Sequence, residues 1–218
     1  ASFLDPTNTY SVSAYQTACG AVDILSHIFD SYYFTTAEKM DMVDRITEEV
    51  IKAVIKYAPM ALKEPENYEA RANLMWASTW GLNRFLETGV SQVASCHAME
   101  HELSAFYDIT HGLGLAILTP RWMKYVLDES TAPQFNKFGA NVFGIDDSLS
   151  DMEGAERAIE CLSDFLFKTL GLQSTLTEIG IDDKHFKVMA KKACKGDVLR
   201  GFKVLTPEDV EKIFRMCL

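Results

Sequence analysis

The segment Cys96 to Gly114, CHAMEHELSAFYDITHGLG, decides the architecture of the chain. Its first half sets Ala98, Met99, Leu103 and Phe106 around His97 and His101 at the spacing of an interior helix. Asp108-Ile109-Thr110 then breaks the period, with Thr110 as N-cap of the next element. The closing HGLG brings small residues, which let two helices approach closely. Three of the five histidines, at 97, 101 and 111, fall within this one stretch.

The same helical reading extends in both directions. After an irregular leading loop over 2–13, Ser13 caps a helix from Ala14 to about Tyr33, with Ala18, Ala21, Val22, Leu25, Ile28 and Phe29 on one face. A second helix is predicted from Thr36, with Glu38 and Lys39 in its first turn, to Tyr57, where Pro59 marks a turn or restart. A third should run from Pro65, as first-turn proline, to Leu86, with Gly89 beyond its end. Ser91 caps a fourth over Val93 to Phe106, and Pro120 should kink or redirect the helix that follows Thr110. Helical periods recur over 133–143, 151–170, 182–194 and 207–217, separated by glycine-bearing turns. With no alternating β-branched run and no repeat, the fold class is all-α, a bundle of roughly eight to ten helices with short connections.

Composition narrows the function classes. A chain of 218 residues can bury a full core in one domain. Its net charge of −10 repels a phosphate backbone, so nucleic acid and anionic membrane are poor partners. Five cysteines without a CxxC suit free thiols in a reducing cytoplasm. No uninterrupted apolar run of about 18 to 20 residues occurs, and the first residues do not read as the basic, apolar and small-residue blocks of a signal peptide. The chain begins with Ala, and ASFLDP reads as the tail of a buried strand entering a turn, so a segment upstream is expected.

The histidines carry the chemistry. Asp23 and His27 stand four apart on the first helix, so their side chains project together and one ion can sit between them. His97 and His101 repeat that spacing. His111 lies 14 residues after His97. On an unbroken helix that would be about 21 Å, too far for a shared ion, so the chain must turn between them. Four histidines and an acid in two apolar surroundings favour Zn²⁺ or Fe²⁺ over isolated structural roles. HELSA has Ala105 where a zincin needs its second histidine, and Gly112-x-Gly114 meets Ile117 instead of a third glycine. Trp76, Trp80 and Met75 are read as core, Cys96 as a small apolar group, His185 as a surface residue, and Asp146, Asp147, Asp151 and Glu153 as a solvated loop and helix start.

GAVDILSH, followed some 70 residues later by SCHAMEHELSAFYDITHGLGLAIL, resembles the iron-containing (group III) alcohol dehydrogenases, with the closest look to their NADPH-dependent butanol dehydrogenase branch. ALKEPENYEARANLMWAS is similar to that branch as well. The resemblance covers the whole chain, as the C-terminal helical half of the dehydroquinate synthase-like fold. It implies that Asp23, His27, His97 and His111 bind Fe²⁺ or Zn²⁺, and that His101 lies near nicotinamide and substrate without being a ligand. It also implies NADP(H), held mainly by an N-terminal nucleotide-binding α/β domain that residues 1–218 do not include, primary alcohols such as butanol or their aldehydes as substrates, and a homodimer. A site of three His and one Asp with an open position would act as a Lewis acid on the substrate oxygen, with His101 either relaying the alcohol proton or serving in packing alone. Two other readings stand beside it: a structural or oligomerising helical domain with an empty site, and a metal-dependent hydrolase on the same ligands.

Overall fold

The computed structural model describes residues 1–35, 40–86 and 95–218. Among them are nine α-helices: α1 (Ala14–Ile28), α2 (Asp41–Lys63), α3 (Tyr68–Leu82), α4 (Ser95–Tyr107), α5 (His111–Val126), α6 (Ala132–Phe138), α7 (Asp151–Asp164), α8 (Phe186–Ala193) and α9 (Pro207–Met216). The described residues hold no β-strand, only an isolated antiparallel bridge between Leu199 and Leu205. None of their helices is long and apolar enough to cross a membrane. The five cysteines are free thiols.

Helix α5 is the axis of the bundle. Twelve of its sixteen residues are buried, which is the pattern of a helix covered on all sides. It packs against α1, α4, α7 and α9, while α2 and α3 cover α1, and α8 closes on α4. Its contacts are close because of two glycines. A Cβ on Gly112 would stand 2.2 Å from the carbonyl oxygen of Cys19, and one on Gly114 would stand 2.7 Å from the Glu100 side chain. The first contact clamps α5 to α1 and the second clamps it to α4.

Several helix ends depart from the sequence expectation. Helix α2 runs through Pro59 to Lys63, and α5 continues through Pro120 to Val126 as one element. An interior proline costs roughly 3 kcal/mol. Burial on both sides of it, Ala58 and Ala61 in α2 and Thr119, Trp122 and Met123 in α5, holds each helix together. Pro65 precedes α3 instead of opening it. Asn67 provides the cap by accepting the Ala70 N–H, and the Pro65 carbonyl accepts from Arg71. Helix α3 also stops at Leu82, before Asn83 and a left-handed Arg84, and not at Leu86. The expected start of the second helix at 36–39, Gly89, the Ser91 cap and the Val93 start all lie outside the described residues.

Other expectations agree with the structure. Ser13 caps α1, and the acids at 146, 147, 151 and 153 are solvent-exposed; the structure adds capping boxes formed by Ser150 for α7 and by Thr206 for α9. The leading loop contains a short 3₁₀ turn, Pro6–Thr9, capped by Asp5. Trp76 is a correction: it is 55% exposed, because α3 turns that face outward along a groove with α2. His185 is half-buried, its ring lying against Phe106 and Tyr107.

Candidate metal centre and catalytic cleft

Three helices deliver the histidines to one place. Asp23 and His27 share a face of α1, His97 and His101 share a face of α4, and His111 is the first residue of α5. The turn that returns His111 is closed by Asp108 in the left-handed region, at φ 52°. Thr110 sits at the N-cap position, as its sequence suggests, but makes no side-chain cap bond. Its carbonyl instead accepts the N–H groups of Leu113 and Gly114.

Asp23 Oδ1 is the point of convergence. The Nε2 atoms of His111, His27 and His97 lie 3.4, 3.6 and 3.7 Å from it. The rings of His27 and His97 have centroids 4.4 Å apart, and those of His97 and His111 are 5.4 Å apart. Asp23, His27 and His97 form one group whose donor atoms lie within 4.8 Å of one another, and Glu100, His101 and His111 form a second. His111 joins the two groups, because its Nε2 faces Asp23 and its Nδ1 faces Glu100.

Two atoms at the centre are buried without a hydrogen-bond partner, Asp23 Oδ1 and His97 Nε2. An orphaned carboxylate oxygen beside an orphaned imidazole nitrogen is costly unless a cation joins them. Tetrahedral donors about 2.0–2.2 Å from a divalent ion stand roughly 3.3–3.6 Å from one another, close to the separations seen around Asp23. The donor set of three imidazoles and one carboxylate therefore fits Zn²⁺ or Fe²⁺.

The electrostatics point the same way. Burial pushes the Asp23 carboxyl up, but His97, His27 and His111 facing it hold it below its ordinary value. Burial and the neighbouring His97 depress His27. Burial likewise opposes the imidazolium of His97, yet the carboxylates of Asp23 and Asp30 outweigh it and raise its pKa to about 9.

Two acids behind the histidines escaped the sequence reading. Asp30 Oδ2 accepts from His97 Nδ1 at 2.9 Å, and its two oxygens also take the backbone N–H groups of Cys96 and His97. Glu100, with no exposed surface, meets His111 Nδ1 and accepts the Ser104 hydroxyl. Asp30 follows His27 by three residues and Asp23 by seven, a helical spacing that could have revealed it. Glu100 shares the buried face of α4 with Cys96, Met99 and Leu103, a spacing that could have marked it, but its partner His111 lies on a different helix. Cys96, next to His97, is fully buried, and burial pushes its thiol far above the ordinary range, as befits an inert apolar side chain.

His101 differs from the other histidines. It is exposed, and its ring stacks on His111 with centroids 5.6 Å apart. Together with His97 it lines a cleft of about 540 Å³ whose far wall is Lys192 to Lys195 and the segment from Asp197 to Arg200. A ligand there would meet His101 directly.

Residues 17–218 match the family model described as Fe-containing alcohol dehydrogenase family, C-terminal. The chain belongs to that family. Its curated relatives include NADH-dependent butanol dehydrogenases B and A of Clostridium acetobutylicum, 44% and 45% identical over 216 residues, each alignment taking in 98% of this chain and 55% of the relative. The NADPH-dependent aldehyde reductase YqhD of Escherichia coli is 35% identical over 189 residues, 87% of this chain and 48% of that protein. A crystal structure of YqhD superposes with a TM-score of 0.90 at 31% identity, covering 99% of this chain and 55% of that one. The chain thus spans about half the length of the curated relatives it matches. The all-α domain is the C-terminal domain of this family's fold.

Proposed function

We propose that residues 1–218 are the helical metal-binding domain of an alcohol dehydrogenase or aldehyde reductase acting on primary alcohols such as butanol, in which Asp23, His27, His97 and His111 hold Fe²⁺ or Zn²⁺. The observation that carries this reading is the convergence of three imidazole Nε2 atoms on the orphaned Asp23 Oδ1. When bound, the divalent ion supplies Lewis acidity toward the substrate oxygen, and a nicotinamide coenzyme supplies or accepts the hydride.

The chain's own residues do the rest. Asp30, by engaging the Nδ1 atom of His97, keeps its Nε2 turned inward. The cleft beside His101 admits the substrate, and the exposed imidazole gives a proton to the oxygen during aldehyde reduction and takes it back during alcohol oxidation. The coenzyme is held mainly by a separate nucleotide-binding α/β domain of the whole protein. The family resemblance implies NADP(H), while the butanol dehydrogenases among the relatives carry NADH in their names, so the two coenzymes must be compared directly.

The test is metal analysis of the purified protein, with butanal reduction by the whole protein followed using NADPH and NADH. One tightly bound divalent ion and butanal-dependent oxidation of either coenzyme are expected. Absence of bound metal, together with a His97→Ala variant unchanged in metal uptake and melting temperature, would refute the reading.

A further inference from the structure

We propose that Glu100 is the positioning residue of His111: its carboxylate, seated in the space that Gly114 leaves between α4 and α5, fixes the ring so that Nε2 faces Asp23. The inference rests on the metal-site reading above. Glu100 has no exposed surface, and a carboxylate taken out of water is retained at a cost of several kcal/mol unless it is paired and hydrogen-bonded. Among the described residues its only ion-pair partner is His111, with no lysine or arginine beside it. A carboxylate accepts and does not donate, so His111 Nδ1 is the donor, and Nε2 keeps its lone pair on the side where Asp23 Oδ1 lies 3.4 Å away.

The surroundings are shaped for this contact. A Cβ at position 114 would stand 2.7 Å from both Cγ and Oε1 of Glu100, so the carboxylate occupies room that only glycine leaves. That same Oε1 receives the Ser104 hydroxyl at 2.6 Å, while Oε2 meets His111 Nδ1, and the Ser104 hydroxyl also lies 3.2 Å from the Ile109 carbonyl, in the turn that leads into His111. Glu100 is thereby tied to the ring and, through Ser104, to the backbone that aims it. Asp30 stands in the same relation to His97, which makes a buried carboxylate behind an inward-facing Nε2 a repeated device of this site.

The competing role for Glu100 is direct ligation, since its oxygens share a cluster with His101 and His111. A double-mutant cycle on the purified protein separates the two, with Zn²⁺ affinity read by competition against a chromogenic chelator and folding read by circular dichroism. Glu100→Ala should weaken Zn²⁺ binding about 10- to 100-fold, the usual range for losing such a partner. In a His111→Ala background the same change should have almost no effect, within about threefold, because the ring it positions is gone. Glu100→Gln, whose amide oxygen still accepts, should lose only about 3- to 10-fold, again only when His111 is present, and it carries the test if Glu100→Ala does not fold. Equal losses in both backgrounds would assign Glu100 as a ligand and overturn the proposal. An unchanged affinity in folded Glu100→Ala, or in Glu100→Gln if that is the variant that folds, would also overturn it. A wild-type protein that binds no Zn²⁺ overturns the metal-site reading along with it, whereas a wild type that loses Zn²⁺ on Asp23→Asn but not on Glu100→Ala overturns this inference alone.

Discussion

His97 Nε2 stands 3.7 Å from Asp23 Oδ1, and neither buried atom has a hydrogen-bond partner. The separation is too long for a hydrogen bond and suited to two ligands of one ion. Asp23→Asn removes the anionic member and should lower divalent-metal affinity by about two orders of magnitude or more, with the helical fold preserved. Free metal at 100 times its dissociation constant should stabilise wild type by about 2.7 kcal/mol. Melting curves with and without Zn²⁺ check both statements, and equal metal-induced shifts in wild type and variant would contradict them.

Protonation of His97 competes with the ion. Its pKa in the metal-free fold is raised to about 9, against about 6.5 for an unperturbed histidine. A raised folded value means that the protonated ring stabilises the metal-free fold fully below about pH 6.5, and that this contribution is lost as the pH rises toward about 9. Metal affinity runs the other way, increasing up to tenfold per pH unit over the same window for a single displaced proton. Zn²⁺ titrations at pH 6.5, 7.5 and 8.5 measure the slope, and a flat profile would exclude the coupling.

Gly112 holds α5 against the backbone of α1, where even a methyl group would meet Cys19 at 2.2 Å. Gly112→Ala must push the helices apart, at a cost of about 1–3 kcal/mol for overpacking. Because α1 carries Asp23 and His27 while α5 carries His111, the variant should lose metal affinity as well as thermal stability. Retention of wild-type affinity would show that the two helices recoil without disturbing the site.

His101 faces the cleft with its ring exposed. If it carries the substrate proton, His101→Ala should reduce turnover about 10²- to 10⁴-fold while bound metal stays near one equivalent. Loss of metal in this variant, measured by elemental analysis, would move His101 into the ligand set.

A separate buried network lies at the N-terminal end of α2, where Asp44 accepts the Tyr32 hydroxyl at 2.6 Å and pairs with Lys137 of α6. Tyr32 is pushed up to about 12 by burial and by Asp44. Lys137→Met would leave the buried carboxylate, among the described residues, with the neutral Tyr32 hydroxyl as its side-chain donor, and should destabilise the protein by about 1–3 kcal/mol without altering metal binding. Chemical denaturation measures the change, and a neutral result would mean that Lys137 contributes nothing to the fold.

The helices were legible because their apolar residues recur at three and four, and because Ser13 carries cap chemistry in the residue itself. Pro59 and Pro120 misled for the converse reason. A proline's penalty is local and visible, while the burial on either side that outweighs it belongs to the whole bundle. Trp76 looked like core because indole is large and apolar, but its exposure depends on which neighbours α3 has on that face.

By itself, the sequence determined the helical class and the turn demanded between His97 and His111, and offered Asp23 and the histidines at 27, 97, 101 and 111 as candidate donors, since these follow from spacing along one chain and from side-chain chemistry; the narrower set Asp23, His27, His97 and His111 came from the family resemblance. Only the tertiary structure decided that three Nε2 atoms meet at one carboxylate oxygen, that His101 opens onto a cleft, and that Asp30 and Glu100 stand behind the outer histidines. Those relations cross from one helix to another, and the distance between two helices is set by how closely residues such as Gly112 and Gly114 let them approach.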